Sequence, residues 1–129
     1  MKEVISQFSD KCIIIKTKQE TINERGGSVY EAIRQYWPNK IEKAILADYV
    51  LAIIQGSNGK VIAVYKPDAW YDTTKEYVEY QKKHGREYSS KKRIAFTGHE
   101  ADTIAQKKYV GKYVPEVLWQ PQAFFRYTF

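Results

Sequence analysis

A single cysteine, Cys12, stands in 129 residues, which excludes an internal disulfide framework and a cysteine-rich zinc site and favours a reducing compartment. Histidine is nearly as scarce, with only His84 and His99. Neither has a His, Cys or carboxylate at a recognised ligand spacing, so no metal site is expected. No stretch reaches the about eighteen uncharged apolar residues of a membrane span. The start, Met1 to Ser6, carries Lys2 and Glu3 and no apolar run ahead of a small-residue cleavage site. A cytoplasmic protein without a membrane or cofactor is therefore expected. Four prolines and seven glycines are too few and too scattered for a linker, and no repeat is present.

What remains is the composition of a globular protein, 43% hydrophobic and 28% charged, of a length suited to one domain over residues 1–129. The net charge of +6 is uneven. Residues 1–74 hold ten Lys/Arg against nine Asp/Glu, and residues 75–129 hold eleven against six, so the halves carry +1 and +5. A positive field concentrated in one half points to an anionic partner.

Periodicity and punctuation outline the elements. The β-branched run Cys12 to Thr17 predicts a strand. After Gly26-Gly27, Ser28 with Glu31 forms a capping box, and a helix with Val29, Ala32, Ile33 and Tyr36 on one face is predicted through Trp37, stopped by Pro38. Asn39 with Glu42 repeats the capping signal for a helix over 41–46. The runs Tyr49 to Gln55 and Lys60 to Lys66, separated by Gly56-Ser57-Asn58-Gly59, predict a hairpin. Its first strand is apolar on both faces and therefore central. A helix over 74–83 is predicted within a polar, basic insertion or lid at about 72–92. Strands over 93–98 and 123–129 flank a helix over 101–109. Together these predict an α+β fold, a small, mostly antiparallel, partly closed β-barrel with several short helices.

Catalytic machinery is hard to place. Cys12 sits in an apolar run, where a thiol behaves as a small hydrophobe. No serine occupies a nucleophile elbow, and no glycine-rich loop opens a helix. A restriction-type nuclease core needs an acidic residue two positions before a strand lysine, and Val64 stands there before Lys66. Tyr109-Val110-Gly111 matches half of the GIY-YIG nuclease signature, in the wrong order along the chain. Asp48, Asp68, Asp72 and Glu100 lie near element ends, without a spacing that pairs two on one face. A non-catalytic protein is expected.

The stronger signal interleaves rings and cations. Tyr71, Tyr77, Tyr80 and Tyr88 alternate with Lys75, Lys82, Lys83, Arg86, Lys91, Lys92 and Arg93, the residue types that stack on bases and hold phosphates. For nucleic acid, Lys82, Lys83, Arg86, Lys91, Lys92 and Arg93 would take the backbone while Tyr80, Tyr88 or Trp70 stacks on a base. Trp37, Trp70 and Trp119 mark element ends, where pockets open. For a small nucleotide, Arg34 and Arg126 with an aromatic lid are the candidates. A protein-interaction or inhibitor surface, with self-association compatible, is the third reading, because tyrosine, tryptophan and arginine anchor interfaces.

Residues Tyr30 to Arg34 with Trp37, Ala47 to Ala52 with Val61 to Tyr65 and Trp70, Phe96-Thr97-Gly98, and Tyr109 to Lys112 with Val114-Pro115 resemble a group of small prokaryotic and phage domains associated with defence and mobile elements. The hairpin-plus-helix outline is also similar to PUA-like domains such as EVE. That resemblance implies a small barrel that reads a modified base or RNA, and it assigns no individual site residue.

Overall fold

The computed structural model describes residues 2–89, 91–120 and 123–129. The strands are β1 (Cys12–Thr17), β2 (Tyr49–Ile54), β3 (Val61–Asp72), β4 (Ile94–Glu100) and β5 (Phe125–Tyr127), and the helices are α1 (Gln19–Glu24), α2 (Val29–Arg34), α3 (Ile41–Ala44), α4 (Thr74–Lys83) and α5 (Thr103–Tyr109). The strands form one five-stranded sheet in the order β4-β3-β2-β1-β5. The fold is mixed α+β. None of the described helices is long and apolar enough to cross a membrane.

β1 is apolar along its length because both of its faces are covered. Cys12 and Ile14 pack with Leu51, Val64, Ala105 and Tyr109, whereas Ile13 and Ile15 pack on the opposite face with Ile33, Ala44, Val50 and Phe96. Strand alternation therefore feeds two cores from one run. Full burial of each Ile or Leu contributes about 1.5–3 kcal/mol, so β1 and β2 anchor the domain. The hairpin from β2 to β3 forms as expected. At its turn Gly59 has φ +85°, and a Cβ there would lie 2.5 Å from the Trp119 indole nitrogen, so conformation and space both require glycine.

The sheet is mostly antiparallel, as expected: three of the four strand pairings among the described residues are antiparallel, while β1 and β2 are parallel, with Cys12 opposite Tyr49 and Thr17 opposite Ile54. The crossover that a parallel pair requires is made of α1 to α3, four to six residues each, of which α2 and α3 were expected and α1 was not. The sheet is not closed: β4 and β5 are its two edges.

Boundaries shift for local reasons. Ser28 Oγ accepts from the Glu31 amide at 3.1 Å, so the serine half of the predicted capping box forms, whereas Glu31 Oε1 accepts from Arg34 and Gln35, and α2 ends at Arg34 rather than Trp37. Gln35 is already extended, and Trp37 exchanges two backbone hydrogen bonds with Ile94, of 3.0 and 2.9 Å. A residue before proline favours this extended state. The second capping box does not form. Lys40 is the N-cap without a side-chain bond, while Asn39 Oδ1 accepts from the Lys40 amide and the Tyr127 hydroxyl. The insertion carries α4 over 74–83 as predicted, and the helix itself buries no residue fully. The last strand is confined to Phe125–Tyr127, and Pro121 and Gln122 lie outside the described residues.

Candidate functional site

Between α2 and α3 the chain runs through Tyr36-Trp37-Pro38-Asn39-Lys40, and four clefts open along this one segment. The first, about 430 Å³, is lined by Tyr36 to Asn39 with Arg93, Phe124 and Phe125. The second, about 510 Å³, continues from Asn39 and Lys40 to Asp72, Lys92 and Ile94. A third, about 260 Å³, lies between Pro38 to Lys40 and Lys91-Lys92. The fourth, about 270 Å³, lies beside Tyr36 and Trp37 and reaches Lys16, Lys18, Thr21 and Arg25. Shared residues join them into one groove at the margin of the sheet.

Its walls are held by the fold. The Trp37 indole donates to the Ile33 carbonyl at 2.6 Å, which fixes the ring against α2. Arg93 lies 3.9 Å from the Tyr77 ring centroid and donates to the Tyr77 hydroxyl at 3.2 Å. A guanidinium stacked on an aromatic face keeps its charge while losing conformational freedom. Its Nε is buried with no hydrogen-bond partner among the described residues. Arg25 donates to the Glu31 and Gln35 carbonyls at 3.0 and 2.5 Å, satisfying acceptors that the end of α2 leaves open. It also stacks on Tyr36 and Tyr80, at 5.4 and 5.2 Å.

The electrostatics are one-sided. Seven Lys or Arg residues line the four clefts, against two carboxylates, Glu42 and Asp72. None of the seven forms a salt bridge among the described residues. Hydrogen bonds from Thr74 hold the Asp72 carboxyl below its ordinary range. Lys16 is 6% exposed. Its ammonium donates to the Trp119 carbonyl at 2.9 Å and lies 4.8 Å from the Phe124 ring centroid, while burial lowers its pKa. A buried cation without a countercharge is costly unless something anionic completes it.

Of the residues expected from the sequence, the structure brings Trp37, Lys91, Lys92 and Arg93 together in this groove. Others are engaged elsewhere. Arg34 pairs with Glu31 at 3.4 Å and hydrogen-bonds the Tyr71 hydroxyl. Arg86 pairs with Glu24 at 2.6 Å, and the Tyr80 hydroxyl donates to the same carboxylate. Trp70 packs on Phe96 and Phe125, at 5.0 and 6.3 Å between ring centroids, beneath the groove. Lys82 and Lys83 are exposed in the last turn of α4 and Tyr88 just beyond it, with the Lys82 ammonium 5.7 Å from the Tyr88 ring centroid. Arg126 projects to solvent from the edge strand β5, outside all four clefts.

Sequence reasoning missed Lys16, Lys18, Arg25, Tyr36, Lys40 and Phe124 as groove residues. One signal was available: Lys16 interrupts a β-branched run, where a charge is conspicuous. As a nucleophile Cys12 is poorly placed, since it is fully buried and burial pushes its thiol up to about 12. No three His, Cys, Asp or Glu side chains cluster for a metal among the described residues. Comparison of the chain with protein-family models, curated proteins and solved structures finds no match.

Proposed function

We propose that this protein is a non-catalytic binding domain for nucleic acid, and that the groove along Tyr36 to Lys40 is its binding surface. The observation that carries this reading is the set of seven cations, none in a salt bridge among the described residues, on a groove walled by Tyr36, Trp37 and Phe124. Phosphates take the cations, and bases lie against the rings. Lys40 and Lys92 line both the second and the third cleft, Lys91 lines the third, and Arg93 lines the first. The PUA-like relationship belongs to the same proposal and favours the same partner class, RNA or a modified base.

Fluorescence anisotropy with labelled RNA and DNA over a salt series tests it. Binding should weaken steeply with salt, because each neutralised phosphate releases counterions. Salt-independent binding, or none, would remove the proposal. Tight binding of a free nucleotide alone would replace it with nucleotide capture, and a stoichiometric co-purifying protein free of nucleic acid would replace it with a protein-interaction role.

A further inference from the structure

Two of the clefts meet at the same three rings. Tyr36, Trp37 and Phe124 line both the cleft that holds Arg93 and the cleft that holds Lys18, Thr21 and Arg25. The second of these has three cations and no carboxylate on its walls, together with the hydroxyl-bearing Thr17 and Thr21 and the amide of Gln35. Each of the two clefts thus combines the shared rings with cations of its own.

We infer that the ligand is a single strand of several nucleotides that crosses the Tyr36 and Trp37 rings, with the Lys18–Thr21–Arg25 cleft as a second phosphate subsite. This inference rests on the proposed nucleic-acid reading and narrows it to a substrate class. A mononucleotide fills one cleft and leaves the cations of the other without a partner. A duplex presents a convex surface and is read by elements that protrude into its grooves. Here the cations line recesses, and recesses accept a strand whose bases are splayed out and stacked while the backbone is tracked by charge. The order along the path is cation, ring, cation: Lys18 and Arg25, then Tyr36 and Trp37, then Arg93 and Lys92.

Lys18 is the residue on which to test this. It is exposed, its side chain makes no cap bond to α1, and its ammonium lies 5.7 Å from the Phe124 ring centroid. Arg25 is unsuitable, because it also closes the end of α2. The experiment measures anisotropy of labelled single strands of two and of eight nucleotides, a duplex of the longer sequence and a free nucleotide. Wild type is compared with Lys18→Glu and Lys92→Glu, each first checked for an unchanged melting temperature.

The expected result is that the longer strand binds at least about tenfold more tightly than the short strand, the duplex and the nucleotide. Lys18→Glu should weaken the longer strand about tenfold and leave the dinucleotide unchanged, while Lys92→Glu weakens both. If Lys18→Glu leaves the longer strand unchanged while Lys92→Glu weakens it, the second subsite is overturned and the groove reading stands. Equal affinity for duplex or for free nucleotide overturns the single-strand class. If wild type binds none of the four probes, both readings fall together.

Discussion

Two regions of this small domain treat positive charge in opposite ways. Under α5, Asp10 accepts from the Tyr109 hydroxyl at 2.6 Å and from the Lys108 ammonium at 2.9 Å, and Lys112 pairs with Glu3 at 2.9 Å. Both lysines line a cleft of about 170 Å³, and both are neutralised from within the chain. Around Tyr36 to Lys40, seven cations line four clefts and none is neutralised among the described residues. Net charge alone does not distinguish the two regions, since lysine is abundant in each. Pairing does: a cation matched inside the fold contributes to stability, and one left unmatched beside rings is available to a partner.

The sharpest way to break this contrast is to remove cations from the groove. Lys40→Ala, Lys91→Ala and Lys92→Ala combined should weaken nucleic-acid binding about a hundredfold at low salt and flatten the log–log salt slope by about 2–3. Folding stability should change by less than about 0.5 kcal/mol, because these side chains form no salt bridge among the described residues. Salt titrations and denaturant melts of the same variant check both halves, and a large loss of stability with intact binding would reverse the assignment.

Asp10→Ala addresses the opposite region. It leaves the Tyr109 hydroxyl, on a side chain only 1% exposed, without its acceptor, so a loss of about 2 kcal/mol is expected in urea unfolding. Affinity for single strands should not move. A binding defect here would show that the two regions are coupled.

A smaller effect is expected at Glu24, which joins the α4 excursion to α1. The hydrogen bond from Arg86, with a second from Tyr80, lowers its pKa from 4.5 to about 2. A depressed carboxylate contributes stability that is complete above its unfolded value and is lost as pH falls. Glu24→Gln should therefore cost about 1 kcal/mol above pH 4.5, after allowing for solvent screening of Arg86. The difference from wild type should fade between pH 4.5 and about 2. A gap that persists at the acid end would mean that the pair is not its source.

The smallest effect belongs to Arg126→Ala. It is exposed on an edge strand and outside the groove, so it should alter neither stability by more than about 0.5 kcal/mol nor affinity measurably. A clear loss of affinity for a free nucleotide would restore it as a ligand contact.

The binding surface was partly legible because its residues come from segments with different signals. Lys91, Lys92 and Arg93 stood out as a basic run, and Trp37 as an aromatic at an element end. Arg86 and Tyr80 gave the same signal and are committed to Glu24, a residue 62 positions from Arg86. No spacing rule links positions so far apart. Lys16 and Phe124 were harder still: they meet only because β5 returns beside β1, with the Lys16 amide donating to the Phe124 carbonyl. A basic, tyrosine-rich stretch thus identified the neighbourhood without separating free cations from paired ones.

By itself the sequence determined the local units. Alternating and β-branched runs dictated β1 and the β2–β3 hairpin, the Ser28 cap began α2, and the polar heptad-free stretch after Asp72 set α4, because each depends on contacts within a few residues. Tertiary structure decided what those units do together. The parallel pairing of β1 with β2, the capture of Trp37 by Ile94 and the gathering of cations from β1, α1, the Tyr36–Lys40 segment and the start of β4 all rest on contacts between distant residues. Such contacts are selected by burial and backbone hydrogen bonding over the whole chain, and periodicity along the sequence carries no record of them.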